Sequence, residues 1–195
     1  MTDAASPANP TGGAPVPKRR LIDGSLILLA ATLGGCAMAP QAPMNVPDAV
    51  KVPAGHAVYM NTVGEGQITY ECRAKKDMAD QFEWVFVGPD AKLSTRQGQV
   101  IGRYFGPPAT WAANDGSAFT GAQLATAPGG AGNIPLQLVK ANPATGSGQM
   151  QGVTYVQRLA TQGGVAPAMP CMASSQGSRQ VVAYKADYVL WRAAM

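Results

Sequence analysis

Residues 67–73 read Gln67-Ile68-Thr69-Tyr70-Glu71-Cys72-Arg73. In an extended chain Ile68, Tyr70 and Cys72 fall on one side, and Gln67, Thr69, Glu71 and Arg73 on the other. A period of two with one apolar side marks a strand with one buried face. Working outward, residues 82–87 (FEWVFV) put Phe82, Trp84 and Phe86 on one face with Glu83 opposite. Similar runs occupy residues 56–62, 100–105, 118–125, 136–141, 153–159 and 181–191. Turn formers separate them: Gly88-Pro89-Asp90, Asn114-Asp115-Gly116, Asn142-Pro143 and Gly163-Gly164. Asp115-Gly116 suits a tight hairpin, because Gly accepts the positive φ of a type I′ turn. The last run alternates Val182, Tyr184, Ala186, Tyr188 and Leu190, yet sets Lys185 and Asp187 beside Val181, Val189 and Trp191. Its aromatic and β-branched content decides for a strand. After residue 40 no segment holds a helical period, and residues 77–82 are expected to form one helical turn at most. The expectation is all-β: an antiparallel β-sandwich or partly closed barrel of about eight or nine short strands.

Composition narrows the function. Of 195 residues, 23 are Gly and 16 are Pro, which is rich in turn formers but short of a low-complexity chain. Charged residues make up 13%, about half the usual share, which excludes a charged disordered tail or a coiled coil. One His and three Cys exclude most zinc arrangements, so no metal and no cofactor is expected. A net charge of +4 is too small and scattered to argue for nucleic acid.

Residues 1–35 read as a leader. Residues 1–17 lack apolar periodicity and are expected to be disordered. Lys18, Arg19 and Arg20 then precede an apolar stretch, SLILLAATL, at residues 25–33. A basic start, a short apolar run and a small-residue exit describe an export signal, and the run is shorter than the about 20 residues that span a bilayer. Its end, Leu33-Gly34-Gly35-Cys36, resembles a bacterial lipobox, which implies that Cys36 carries a lipid and anchors the protein to a membrane. Ala37 follows where an Asp would resemble an inner-membrane retention signal, so the outer membrane is favoured in a cell with two. Residues 36–55, with Pro40, Pro43, Pro47 and Pro53, are expected to be an extended tether, and residues 56–195 a single β domain. Two cysteines then remain, Cys72 and Cys171. In an oxidising compartment they pair, closing a loop of about 100 residues whose entropy is worth about 4.7 kcal/mol; otherwise they pack as small hydrophobes.

Several further segments occur in a fixed order. Gly66-Gln67-Ile68-Thr69-Tyr70-Glu71-Cys72 is followed by Trp84-Val85-Phe86, Gly106-Pro107, Trp111 and Asp115-Gly116-Ser117. Val156-Gln157-Arg158, Thr161-Gln162-Gly163-Gly164-Val165-Ala166-Pro167, Cys171 and Tyr184-Lys185-Ala186-Asp187-Tyr188 complete the series. From about residue 50 onward the chain resembles a family of exported bacterial and fungal proteins, domain of unknown function 3455. The resemblance implies a secreted, mainly β domain, agrees with a Cys72–Cys171 pair, and implies no activity. The chain departs from the family pattern at Tyr104, where relatives often carry a His, and at an extra residue in Gly106-Pro107-Pro108-Ala109.

Motifs for chemistry are mostly missing. His56, the only histidine, starts the first strand beside the tether, where a solvated role is the plain reading. Gly146-Ser147-Gly148 lacks the spacing of a nucleophile elbow. Gly64-Glu65-Gly66 is followed by Thr69 where a dinucleotide loop needs a third Gly. Glu71 and Glu83 lie on polar strand faces, and Asp77 and Asp80 beside Lys75 and Lys76 read as surface ion pairs. The aromatics offer more. Tyr104, Phe105 and Trp111 bracket a rigid Gly-Pro-Pro segment, and an exposed Trp111 beside Asp115 would stack on a sugar or other planar ligand. Otherwise Trp111 packs the core and Asp115 is a turn residue. Arg158 ends an apolar strand, where it would cap a pocket or pair with a carboxylate. The expected function is a lipid-anchored cell-envelope domain that binds a small ligand or an envelope protein without catalysis. The alternatives are a carboxylate-dependent hydrolase and a purely structural lipoprotein.

Overall fold

The computed structural model describes residues 45–195; the leader and export signal expected at residues 1–35, Cys36 and the first part of the expected tether lie outside the described residues. Eight antiparallel strands form one sheet in sequential order: β1 (His56–Lys75), β2 (Met78–Thr95), β3 (Val100–Phe105), β4 (Thr110–Ala113), β5 (Ala118–Ala127), β6 (Leu136–Ala141), β7 (Val153–Gly163) and β8 (Arg179–Ala193). β8 returns to pair with β1, so the sheet closes into a ring. The all-β expectation holds, with three strands far longer than expected.

The length of β1 and β2 comes from signals that read as breaks. Residues 56–62 and 67–73 are one strand, because Gly64 and Gly66 stay extended. They are glycines for close approach: a Cβ at Gly64 would collide with the Tyr188 ring, and one at Gly66 with the Asp90 carbonyl. Gly88-Pro89-Asp90 is not a turn but part of β2. Thr69 faces Gly88 while Tyr70 faces Phe86, so Val87 is the extra residue of a bulge. Residues 77–82 form no helical turn; Lys76 and Asp77 make the hairpin turn, Asp77 in the left-handed region at φ 54°. Asn114-Asp115-Gly116 does close the β4–β5 hairpin, but as a three-residue loop. Ala113 donates to the Ser117 carbonyl (2.8 Å), and Gly116, at φ 87°, donates to the Ala113 carbonyl (3.1 Å). Such a loop is a type I turn with a glycine bulge rather than type I′.

Inward-facing residues fill the ring. The Trp111 ring stacks on Phe119 at 5.3 Å and 13° and lies 4.6 Å from Tyr104, which in turn lies 5.0 Å from Tyr188. A second apolar cluster sits on the outer face, where Ala127, Leu138, Leu159 and Val189 meet Val50. Residues 45–55 are therefore not an extended tether. Val50, in a single 3-10 turn (Asp48–Val50), is fully buried, and its carbonyl accepts from Gln157 Nε2 at 2.7 Å.

Past the ring, β8, β1 and β2 run on as a three-stranded arm, because β7 last meets β8 at Tyr184 and β3 last meets β2 at Asp90. Phe82, Trp84 and Phe86 share a face as expected, but on this arm rather than in the ring: Trp84 is partly buried against the margin of the core, and Phe86 is 51% exposed. Cys72 on the same face forms a disulfide with Cys171, Cα atoms 5.5 Å apart. The bridge and a hydrogen bond from Trp84 Nε1 to the Met169 carbonyl (2.8 Å) hold the β7–β8 loop against the arm. A disulfide of this kind belongs to an extracellular or envelope compartment. Among the described residues no helix is long and apolar enough to cross a membrane.

Candidate functional site

The alternation that sends Gly64, Gly66 and Ile68 inward sends Glu65 and Gln67 outward. Register then gathers charges from distant parts of the chain: Glu65 stands opposite Lys92 on β2 and Lys185 on β8, Gln67 opposite Asp90, and Lys92 opposite Arg103 on β3. These side chains line a groove of about 1270 Å³ across the outside of the sheet, with bare backbone at Gly66 and Gly102 and with Gln162 and Asn114 in its wall.

Electrostatics leaves the groove with a spare cation. Arg103 binds Asp90 at 2.8 Å, and Lys185 lies 3.6 Å from Glu65. Both pairs are open to water and contribute little stability. Lys92 has no carboxylate partner among the described residues, so its ammonium is free for an anionic group. No thiol, hydroxyl–histidine pair or cluster able to hold a metal accompanies these charges among the described residues. The arrangement offers donors, acceptors and a positive point along an elongated surface.

The residues singled out by sequence lie elsewhere. Tyr104 and Trp111 are brought together, but inside the ring: Trp111 is fully buried, so its indole offers no face to a ligand, and its Nε1 has no hydrogen-bond partner among the described residues. Asp115 is tied into its turn. Its carboxylate accepts from the Ser117 hydroxyl (2.5 Å), the Ser117 N–H (2.9 Å) and the Gln149 N–H (2.7 Å). These bonds, the Ser117 hydroxyl first, hold its pKa below the ordinary value. Among the described residues Arg158 pairs with no carboxylate; Nε and an Nη donate to the Pro135 carbonyl at 3.1 and 2.9 Å. Burial pushes the Tyr104, Tyr184 and Tyr188 hydroxyls up, and the Arg158 charge opposes this only in part. These tyrosines stay neutral and serve as packing.

His56 lies with Nδ1 3.1 Å from the Pro53 carbonyl and its ring edge-on to Tyr155 at 4.8 Å, away from the groove. Glu71 is clamped by Arg73 and Arg179, each at 2.8 Å, and the Arg73 hydrogen bond, then that of Arg179, lowers its pKa. Sequence reading missed the groove because each of its charges alone looks like a solvated face. The available signal was the outward parity of Glu65, Lys92 and Lys185, which means nothing until the register is known.

A family model described as a protein of unknown function (DUF3455) matches residues 53–192. No curated protein and no solved structure matches the chain.

Proposed function

The chain belongs to the DUF3455 family, and on that footing we propose that it is a non-catalytic binding domain of the cell envelope, held to a membrane by lipid on Cys36. Its ligand is an elongated polar molecule bearing anionic groups, such as an acidic oligosaccharide, laid across the outer groove. One observation carries this reading: a groove of about 1270 Å³ in which Lys92 faces Glu65 and Arg103 but has no carboxylate of its own among the described residues. The buried rings of Tyr104, Trp111, Phe119 and Tyr188 support the same reading, since they occupy the interior in which ligand-carrying barrels hold their ligands. The disulfide supports an extracellular or envelope compartment. The sequence Leu33-Gly34-Gly35-Cys36 after a short apolar run supports the anchor and, with Ala37, the outer membrane.

Calorimetric titration with a panel of acidic and neutral oligosaccharides of matched length tests the groove. Binding of acidic members by the native protein, weakened at least about tenfold (about 1.4 kcal/mol) in Lys92→Glu, is expected. Equal affinities in the two proteins, or no binding of any acidic member, would remove the proposal. For the anchor, a labelled fatty acid should enter the native protein and not Cys36→Ala.

A further inference from the structure

The arm ends in an edge that no other strand of the described residues covers. β2 pairs with β1 but meets β3 only from Asp90 onward, so residues 82–86 have no neighbour on their outer side. Both ends of this stretch are bounded. Residues 79–81 drop out of the ladder where the register slips beyond Ala74, and at Gly88 the Gly106 carbonyl of the β3–β4 turn closes in. Between these limits Phe82 to Phe86 pair regularly with Ala74 to Tyr70.

Cys72 reveals which backbone groups face the open side. Its N–H donates to the Ser178 carbonyl (3.0 Å) and its carbonyl accepts from the Gly177 N–H (2.8 Å), so both point away from β2. Cys72 stands opposite Trp84. In an antiparallel ladder, opposed residues either exchange their hydrogen bonds or both turn them away. Phe82, Trp84 and Phe86 therefore present N–H and C=O outward, and their three rings lie on one face. An edge of this kind is a template for another strand, and no Pro or Lys blunts it between residues 82 and 86.

The residues of the edge select the occupant. When the edge pairs with itself in antiparallel fashion about Trp84, Trp84 meets Trp84, Phe82 meets Phe86, and Glu83 meets Val85. Outward-facing residues then oppose one another, and each such pair exchanges two N–H···O bonds. Aromatic cross-strand pairs are favourable, whereas like charges directly opposed are not. A centre at Glu83 would set two carboxylates face to face. One at Val85 would set Phe82 against Gly88, where the Gly106 carbonyl already sits. Of these three centres only that at Trp84 avoids both, and a centre at Phe82 would draw on residues 79–81, which lie outside the ladder.

We infer that two copies of this chain associate through residues 82–86 of β2 about a two-fold axis at Trp84, joining the two arms into a continuous sheet in which β2 meets β2. Sedimentation velocity of the purified full-length chain in detergent, over a concentration series, tests this. The double variant Phe82→Glu/Phe86→Glu opposes carboxylates in the inferred register, while Phe82→Lys/Phe86→Glu replaces each aromatic pair with opposite charges. The native chain should dimerise, the Glu/Glu variant should dissociate at least about tenfold more readily, and the Lys/Glu variant should recover to within a few-fold. Near-UV circular dichroism of the buried Trp111 cluster checks folding. If the Glu/Glu variant loses that signal, Phe86→Glu alone, at a side chain already half exposed, replaces it. A native chain that stays monomeric, a Glu/Glu variant that stays dimeric, or a folded Lys/Glu variant that dissociates as the Glu/Glu one does would each overturn the inference.

Discussion

Glu71 shows how one outward side chain links pH to stability. It bridges Arg73 on its own strand and Arg179 on β8, and the two guanidiniums favour its charged form. A folded-state pKa below the ordinary 4.5 means that the contribution is complete above that value and is lost as pH falls through the lower, folded one. Glu71→Gln should therefore melt below the native protein at neutral pH, and the gap should close in acid as the native carboxyl gains its proton. A gap that stays constant between neutral and strongly acidic pH would show that the pairing does not depend on charge. At this scale the sequence was legible wherever local parity decides: Ile68, Tyr70 and Cys72 are buried, and Asp115 serves its turn. For Trp111 it left two readings open, and the structure bears out packing in the core. Nothing in the neighbouring Gly-Pro-Pro says that a four-residue strand follows and turns the indole inward to Tyr104 and Phe119.

Elements show the same division between local and distant causes. Alternation located most of the strands, but Gly64, Gly66 and Gly88 read as breaks although each is a point where another part of the chain comes close. A glycine needed for approach and a glycine needed for a turn look alike until the neighbour is known. The segment before β1 misled in the opposite direction. Its prolines suggest a free tether, yet Val46, Val50 and Val52 rest on the outer cluster of Leu138, Leu159 and Val189. Val50→Ala removes two buried methyl groups and should cost about 2 kcal/mol, read from the denaturant midpoint. Proteolysis after Lys51 should quicken in parallel. Unchanged stability would mean that the segment rests on the sheet without contributing to it.

For the whole molecule, closure is the property that no local signal could supply, since it depends on β8 finding β1 from the far end of the chain. The groove inherits that illegibility, because its charges come together only once the ring has closed. The Cys72–Cys171 bridge, 99 positions apart, locks the arm across this closure. Cys171→Ser should lower stability by about 2–4 kcal/mol and free the β7–β8 loop to exchange its amides, while the Trp111 cluster keeps its near-UV signal. Loss of that signal in the variant under native conditions would show that the bridge holds the ring as well as the arm. His56 stands opposite Ala193, and Ala194 donates to the Gly55 carbonyl at 2.9 Å, so the domain's first and last strands meet at one pole. A pull applied between those two termini would peel β1 from β8 one bond at a time, like a zip. Traction between residue 55 and a ligand of the kind proposed for the groove would instead run lengthwise along β1, loading many of its bonds at once. With the proposed anchor and ligand both engaged, the domain would yield easily to a pull between Gly55 and Ala194 and resist one transmitted through the groove.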